Sequence, residues 1–123
     1  MLVIAAFLSF IIGVIHSYLG ERYILIRLFR RDNIPVLFGS DSFTKHTIRF
    51  AWHLTTVAWA GFGVILVAIS MEQPDLKYLV LKIIGTVFLG SGIFSFGFSK
   101  GKHLSWIFFW AIAALCYFSG QAG

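Results

Sequence analysis

The histidines are the residues of this chain whose side chains could carry out chemistry, and four are present: His16, His46, His53 and His103. A neutral imidazole nitrogen binds haem iron or a metal ion, and imidazole also exchanges protons in the physiological pH range. Two of them have charged residues close by in sequence, since Arg49 precedes His53 by four residues and Glu21 follows His16 by five. A shared site requires elements that bring these residues together.

Four apolar segments make up most of the sequence, at about residues 2–19, 51–70, 78–98 and 104–119. Crossing a hydrocarbon core about 30 Å thick takes roughly 20 apolar residues of helix, and these segments come close to that length. The chain is 59% hydrophobic and 12% charged, whereas about 25% of residues in soluble domains are charged. We therefore predict an all-α fold, an integral membrane four-helix bundle of two antiparallel helix hairpins, in one domain over residues 1–123.

The basic residues indicate how such a bundle is oriented. The first connection, at about residues 22–49, holds six of the ten Lys and Arg residues. Lys100 and Lys102 lie in the third connection, and Lys77 and Lys82 lie near the second. The first and third connections share a side, so the basic charge divides eight to two. By the positive-inside rule that side is cytoplasmic. We expect the chain in the inner membrane of a bacterium, with both termini outside the cytoplasm and with membrane lipids, not nucleic acid, as partners of the basic loop.

Local signals mark the ends of the helices. Residues 23–31 are both basic and apolar, so they either continue the first helix or lie flat in the headgroup region. Pro35 ends that stretch, because proline disfavours helix in the residue before it. The polar run 40–42 offers N-caps that would start the second helix near Phe43. The connections at residues 72–75 and 99–102 are short, which favours antiparallel neighbours.

Small residues recur at four-residue spacing in the first and third segments. The two stripes are Ser9, Gly13 and Ser17, and Ser91, Ser95 and Ser99, the second flanked by Gly85 and Gly92. Small side chains let helix backbones approach closely in a membrane. We interpret the stripes as packing surfaces within the bundle, or toward a membrane-protein partner or a second copy of the chain.

His16 and His53 come to similar depth near the cytoplasmic ends of the first two helices, and three interpretations follow. They could be the axial ligands of a b-type haem, with Arg49 paired to a propionate. They could bind a metal ion together with Glu21, although the sequence has no HxxxH, ExxH or HExxH spacing. They could also form hydrogen bonds with Arg49 and Glu21 that hold the two helices together, since buried polar groups need partners.

The remaining histidines and one lysine lie at the boundary of the predicted membrane region. His46, His103 and Lys102 could join the site or be solvated. Cys116 is the single cysteine, so the sequence has neither an internal disulfide nor a CxxC redox pair. The serines in the segments have no His and Asp partners at a suitable spacing, so we do not expect nucleophilic catalysis or, more generally, an enzyme.

A polar stripe on the second helix suggests a further class of function. Thr56, Ala60 and Gly63 continue the face that begins with Arg49 and His53. Polar and ionisable residues inside a membrane segment often mark the path of an ion or proton. The functional hypotheses are therefore a cofactor-binding or ligand-binding membrane protein, a structural or accessory subunit, and a transporter of a small solute or proton.

Two short runs carry a resemblance to other proteins. Residues 16–22 read HSYLGER and residues 49–55 read RFAWHLT. Together they resemble a pattern in an uncharacterised family of small four-helix bacterial membrane proteins, over about the first half of the chain. The resemblance implies that His16, Glu21, Arg49 and His53 act as one site, and it implies no particular activity.

Overall fold

The chain folds into four helices in a computed structural model that describes residues 1–72 and 74–121. Within those residues the helices are α1 (Leu2–Leu28), α2 (Ser42–Ser70), α3 (Leu76–Ser99) and α4 (Ser105–Gln121). The all-α prediction is confirmed. Gln73, in the predicted connection between the second and third helices, lies outside the described residues.

Three of these helices, α1 to α3, are long and apolar enough to cross a membrane. The fourth is apolar but has 17 residues, which corresponds to about 25 Å at 1.5 Å per residue. That is shorter than a hydrocarbon core of about 30 Å. Large apolar side chains are exposed along all four helices, which is compatible with a membrane protein.

The first helix continues into the basic segment as far as Leu28, so most of that segment extends α1, which was one of its two predicted conformations. Its apolar part is α-helical from Leu2 to Leu19, and the next six residues, Gly20–Leu25, form a π-helical turn before α-helix resumes. Such turns are rare and often occur at functional sites. The C-terminal part of α1, from Gly20 onward, therefore lies beside the first turns of α2.

The loop before α2 contains a tight turn at Phe38 and Gly39, both with positive φ (55° and 86°). This turn is closed by backbone hydrogen bonds between Leu37 and Ser40. Helix α2 then begins at Ser42, one residue before the predicted start, and the hydroxyl of Ser40 accepts a hydrogen bond from the Ser42 N–H at 3.3 Å.

Each helix packs against the next one along the chain, so α1 contacts α2, α2 contacts α3, and α3 contacts α4. Among the described residues no Cα atom of α1 lies within 8 Å of a Cα atom of α4. The four helices therefore form an open row, with the antiparallel hairpins expected from the short connections. The C-terminal ends of α1 and α3 therefore lie on the same side of the molecule as the N-terminal ends of α2 and α4.

The small residues of α3 are buried as the sequence predicts, and they pack against α4. Gly92 lies against the indole of Trp110, and Gly85 lies against Tyr117. Ser95 is fully buried, and its hydroxyl is 2.6 Å from that of Ser105. These contacts hold α3 and α4 together through small and aromatic side chains.

Candidate functional site

A salt bridge between Glu21 and Arg49 joins α1 to α2. The Nη2 atom of Arg49 lies 2.9 Å from Oε1 of Glu21, and its Nε donates to Oε2 at 3.2 Å. This forked arrangement is the strong form of an arginine–carboxylate pair. The guanidinium carbon also lies 4.9 Å from the ring centroid of Phe29, so both charge and an aromatic face hold Arg49 in place.

His53 lies beside this pair and uses both of its ring nitrogens. Its Nε2 is 3.2 Å from Oε2 of Glu21, and its Nδ1 is 2.8 Å from the hydroxyl of Ser17. The Ser17 hydroxyl is in turn 2.7 Å from that of Thr56, which lies 3.3 Å from the carbonyl oxygen of Gly13. A continuous chain of hydrogen bonds therefore runs from the Glu21 carboxylate to the backbone of α1. We refer to these side chains and the Gly13 carbonyl as the seam network.

The π-helical turn explains how α1 presents its share of the seam network. Residues four apart on an α-helix drift about 40° around the axis at each step. A wider π turn takes up part of that drift. As a result Ser17, Glu21 and Phe29 all reach α2, although they span more than two turns of helix.

Gly20, the first residue of the π turn, makes room for Trp52. A Cβ atom on Gly20 would collide with the indole ring, so the helices approach this closely only with glycine there. The indole N–H of Trp52 donates to the carbonyl oxygen of His16 at 3.1 Å. Trp52 thus fastens α1 to α2 at the turn, next to His53.

The ring of His16 is enclosed by two tryptophans of α2. It stacks parallel to Trp52, with centroids 4.6 Å apart and planes inclined by 1°, and it meets Trp59 edge-on at 4.9 Å. Its Nε2 is buried and has no hydrogen-bond partner among the described residues. His16 is therefore near the seam network but is not hydrogen-bonded into it through that nitrogen.

The predicted haem and metal sites place different demands on these residues. Both nitrogens of His53 are already hydrogen-bonded, so bonding to iron would require one of those bonds to break. In the part of the chain that the structure describes, no three His, Cys, Asp or Glu side chains are grouped so as to hold a metal ion. Of the predicted set of His16, His53 and Glu21, only the last two are joined. The described residues therefore hold no ready-made metal site, and the haem assignment, for which His53 would have to give up a hydrogen bond, stays a prediction.

His46 and His103 lie at the same ends of the helices as His53 but apart from the seam network. Nδ1 of His103 is 2.8 Å from the hydroxyl of Ser105, and its ring packs edge-on against Phe50 of α2. His46 and Lys102 line a small cavity at the end of α3. The four histidines therefore do not form one cluster, because the α1–α2 and α3–α4 pairs each hold their own polar contacts.

The structure brings Glu21, Arg49 and His53 into contact and adds surrounding residues that the sequence does not place there. Ser17 was assigned to packing, although it lies four residues before Glu21 and so shares its helix face. Phe29 could not be placed, because its position depends on the π turn. The contact of Gly20 with Trp52, which requires a glycine at position 20, is likewise seen only in the structure.

Comparison with protein families, curated proteins and solved structures found no match for this chain. The resemblance to small four-helix bacterial membrane proteins stays a prediction.

Proposed function

We propose that this chain is a small integral membrane protein in which His53 binds and releases a proton at the cytoplasmic side, and that this proton controls how firmly α1 is held by α2. The observation that supports the proposal is the double engagement of His53, with the Glu21 carboxylate on one nitrogen and the Ser17 hydroxyl on the other. Histidine is the side chain that changes charge in the physiological range of pH.

Protonation of His53 sets the direction of every hydrogen bond in the seam network. With His53 protonated, Nε2 donates to Glu21 and Nδ1 donates to Ser17. Ser17 then donates to Thr56, and Thr56 donates to the carbonyl oxygen of Gly13. All donors and acceptors are satisfied in this state, and the imidazolium forms an ion pair with Glu21.

Loss of the proton reverses part of this chain. The carboxylate of Glu21 keeps the remaining ring proton on Nε2, so Nδ1 becomes an acceptor. Ser17 then donates to Nδ1, and Thr56 donates to Ser17 instead of to Gly13. The α1–α2 contact loses an ion pair and one hydrogen bond between the helices.

The seam network suits a proton switch better than a path across the membrane. Its hydrogen bonds end at Gly13, about 12 Å along α1 from Glu21 at 1.5 Å per residue. Farther along the same pair of helices the hydroxyl of Ser9 donates to the carbonyl oxygen of Trp59 at 2.7 Å, a separate contact not linked to the seam network, and Gly63 then packs on the ring of Phe10. The proton therefore enters and leaves from one side, which is the cytoplasm if the more basic end of the helices lies there.

The proposal is tested by NMR of the full chain in detergent, with 15N-labelled histidine and 13C-labelled glycine carbonyls. We expect the Gly13 carbonyl signal to shift over the same pH range as the ring nitrogens of His53. In Ser17→Ala the Gly13 carbonyl signal should no longer follow the ring nitrogens of His53, because the hydroxyl that links His53 to Thr56 is absent. In the unmodified protein, a Gly13 carbonyl chemical shift that stays constant while the His53 ring signals change would contradict the proposal. The network would then only hold the helices together, as expected of a structural or accessory subunit.

A second candidate function is supported by the buried, unpartnered Nε2 of His16. A free imidazole nitrogen between two tryptophans is a potential ligand atom for a haem iron or another metal. Absorption spectra of the purified protein, oxidised and then reduced with dithionite, test this candidate together with metal analysis. A Soret band lost in both His16→Ala and His53→Ala would establish a b-type haem protein. A colourless, metal-free preparation made with haem and metals in supply would exclude it.

A further inference from the structure

We propose that the end of α3 carries a binding site for an anionic membrane lipid, with the phosphate held in a basic cavity and an acyl chain lying in a groove beside Gly97. This inference depends on the membrane location proposed above but not on the proton switch. It comes from two cavities that share one side chain, Phe98.

The first cavity, of about 100 Å³, is lined by basic side chains from α2 and from the α3–α4 turn: His46, Lys100 and Lys102. No acidic side chain lines it among the described residues. The nearest carboxylate in sequence, Asp41 at the start of α2, is paired with Lys45. The cavity therefore has uncompensated positive charge, which suits a phosphate group.

The turn between α3 and α4 is built so that both lysines reach this cavity. Lys100 adopts a left-handed conformation with φ 51°, and Gly101 follows with φ 77°. A lysine rarely adopts that conformation, because its Cβ approaches the backbone. Lys102 then extends over the ring of Phe38, with Nζ 5.2 Å from the centroid.

The second cavity, of about 280 Å³, is an apolar groove on the outer face of α3 lined by Ile93, Phe94, Gly97 and Phe98. Gly97 forms its floor, since a Cβ atom placed there meets nothing within 4 Å. Phe94 and Phe98 stack along it with centroids 6.0 Å apart. Groove and basic cavity meet at Phe98, so a ligand with an anionic head and an apolar tail can occupy both.

The adjoining loop supports a membrane lipid over free phosphate as the occupant. Val36, Leu37 and Phe38 are exposed by 64%, 48% and 70% at the edge of the basic cavity. Exposed apolar side chains beside lysines are typical of a surface that lies in the headgroup region of a bilayer. Free phosphate would use only the basic part of this surface.

The test is native mass spectrometry of the full chain in detergent, titrated with phosphatidylglycerol or with phosphatidylcholine of the same acyl chains. We expect preferential binding of phosphatidylglycerol. The double variant Lys100→Asn, Lys102→Gln should bind it about 25-fold more weakly, at about fivefold per lysine. Asparagine is chosen at position 100 because it tolerates the left-handed conformation. The control Lys77→Gln, Lys82→Gln removes the same charge at the opposite end of the helices and should bind normally.

The groove is tested separately. Gly97→Leu should weaken binding of the long-chain lipid and leave binding of glycerol phosphate unchanged. The control Ala111→Leu, at an exposed position of α4, should change the binding of neither ligand. The proposal is overturned if the lysine variant retains its preference for phosphatidylglycerol. It is also overturned if inorganic phosphate binds as tightly as the lipid, which would indicate a simple anion site. His53→Gln should bind lipid normally, so failure of the lipid site and failure of the proton switch are distinguishable.

Discussion

Arg49 holds Glu21 through two nitrogens of one guanidinium group, while the ring of Phe29 lies 4.9 Å from the guanidinium carbon. Lysine would keep the charge but lose the fork and the planar contact with the ring. We therefore expect Arg49→Lys to lower the free energy of unfolding in detergent by about 1–2 kcal/mol.

Thermal unfolding of the purified protein measures this change. The matched control is Lys45→Gln, which removes an ion pair of similar exposure between residues four apart at the start of α2 and should cost about 0.5 kcal/mol or less. Equal losses in the two variants would mean that the forked geometry contributes nothing special.

The fit of Trp52 over Gly20 leads to a second prediction. Alanine normally stabilises a helix by about 1 kcal/mol relative to glycine, yet at position 20 its methyl group would collide with the indole. We expect Gly20→Ala to destabilise the protein and to change the tryptophan fluorescence. Gly90→Ala is the control, because a Cβ atom there meets nothing within 4 Å. A Gly20→Ala variant as stable as Gly90→Ala would contradict the close packing of Gly20 against Trp52.

A third prediction concerns His53, whose two ring nitrogens are hydrogen-bonded to Glu21 and Ser17 of α1. His53→Ala removes both contacts between the helices, so we expect it to lower the melting temperature and the free energy of unfolding by about 1–3 kcal/mol.

His103→Ala serves as the control, because the ring hydrogen bond of His103 is to Ser105, only two residues along the chain. It should lower the melting temperature less than His53→Ala. Equal losses in the two variants would mean that the hydrogen bonds of His53 to α1 stabilise the protein no more than a local contact does.

The α3–α4 hairpin provides a fourth prediction. Ser95 is 0% exposed and lies against Ser105, so a leucine there would force the helices apart. Overpacking of this kind typically costs about 1–3 kcal/mol, and here a buried hydroxyl contact is lost as well. We expect Ser95→Leu to unfold at a lower temperature than His53→Ala, and Ala111→Leu, on an exposed position, to behave like the parent. A melting temperature of Ser95→Leu equal to or above that of His53→Ala would contradict this prediction.

Orientation in the membrane is tested by thiol labelling of intact cells in a Cys116→Ser background. With the more basic end of the helices in the cytoplasm, a cysteine introduced as Arg31→Cys should react with a membrane-impermeant reagent only after lysis. A cysteine introduced as Glu72→Cys, at the opposite end, should react in intact cells. The reverse pattern would contradict the positive-inside assignment and would move the proton switch to the outer face.

The sequence was sufficient for the features that depend on hydropathy and spacing. Four helices, their short connections and the start of α2 follow from apolar length and turn residues. The pairing of Glu21 with Arg49 and His53 follows from the antiparallel course of the first two helices. The π turn could not be foreseen, because the hydrogen-bond pattern within α1 depends on its packing against Trp52 and Arg49. For the same reason the sequence does not place Phe29, and it leaves open whether His16 binds a cofactor or forms hydrogen bonds with its neighbours, whereas in the structure its ring stacks on Trp52.

The open row of helices has a consequence for how the chain is made. Over residues 1–72 and 74–121, each helix packs only against its neighbours in the sequence, so each new helix finds its partner in the one synthesised just before it. The first helix need not wait for the fourth, as it would in a closed ring. Assembly can therefore keep pace with translation, in the manner expected of folds dominated by local contacts.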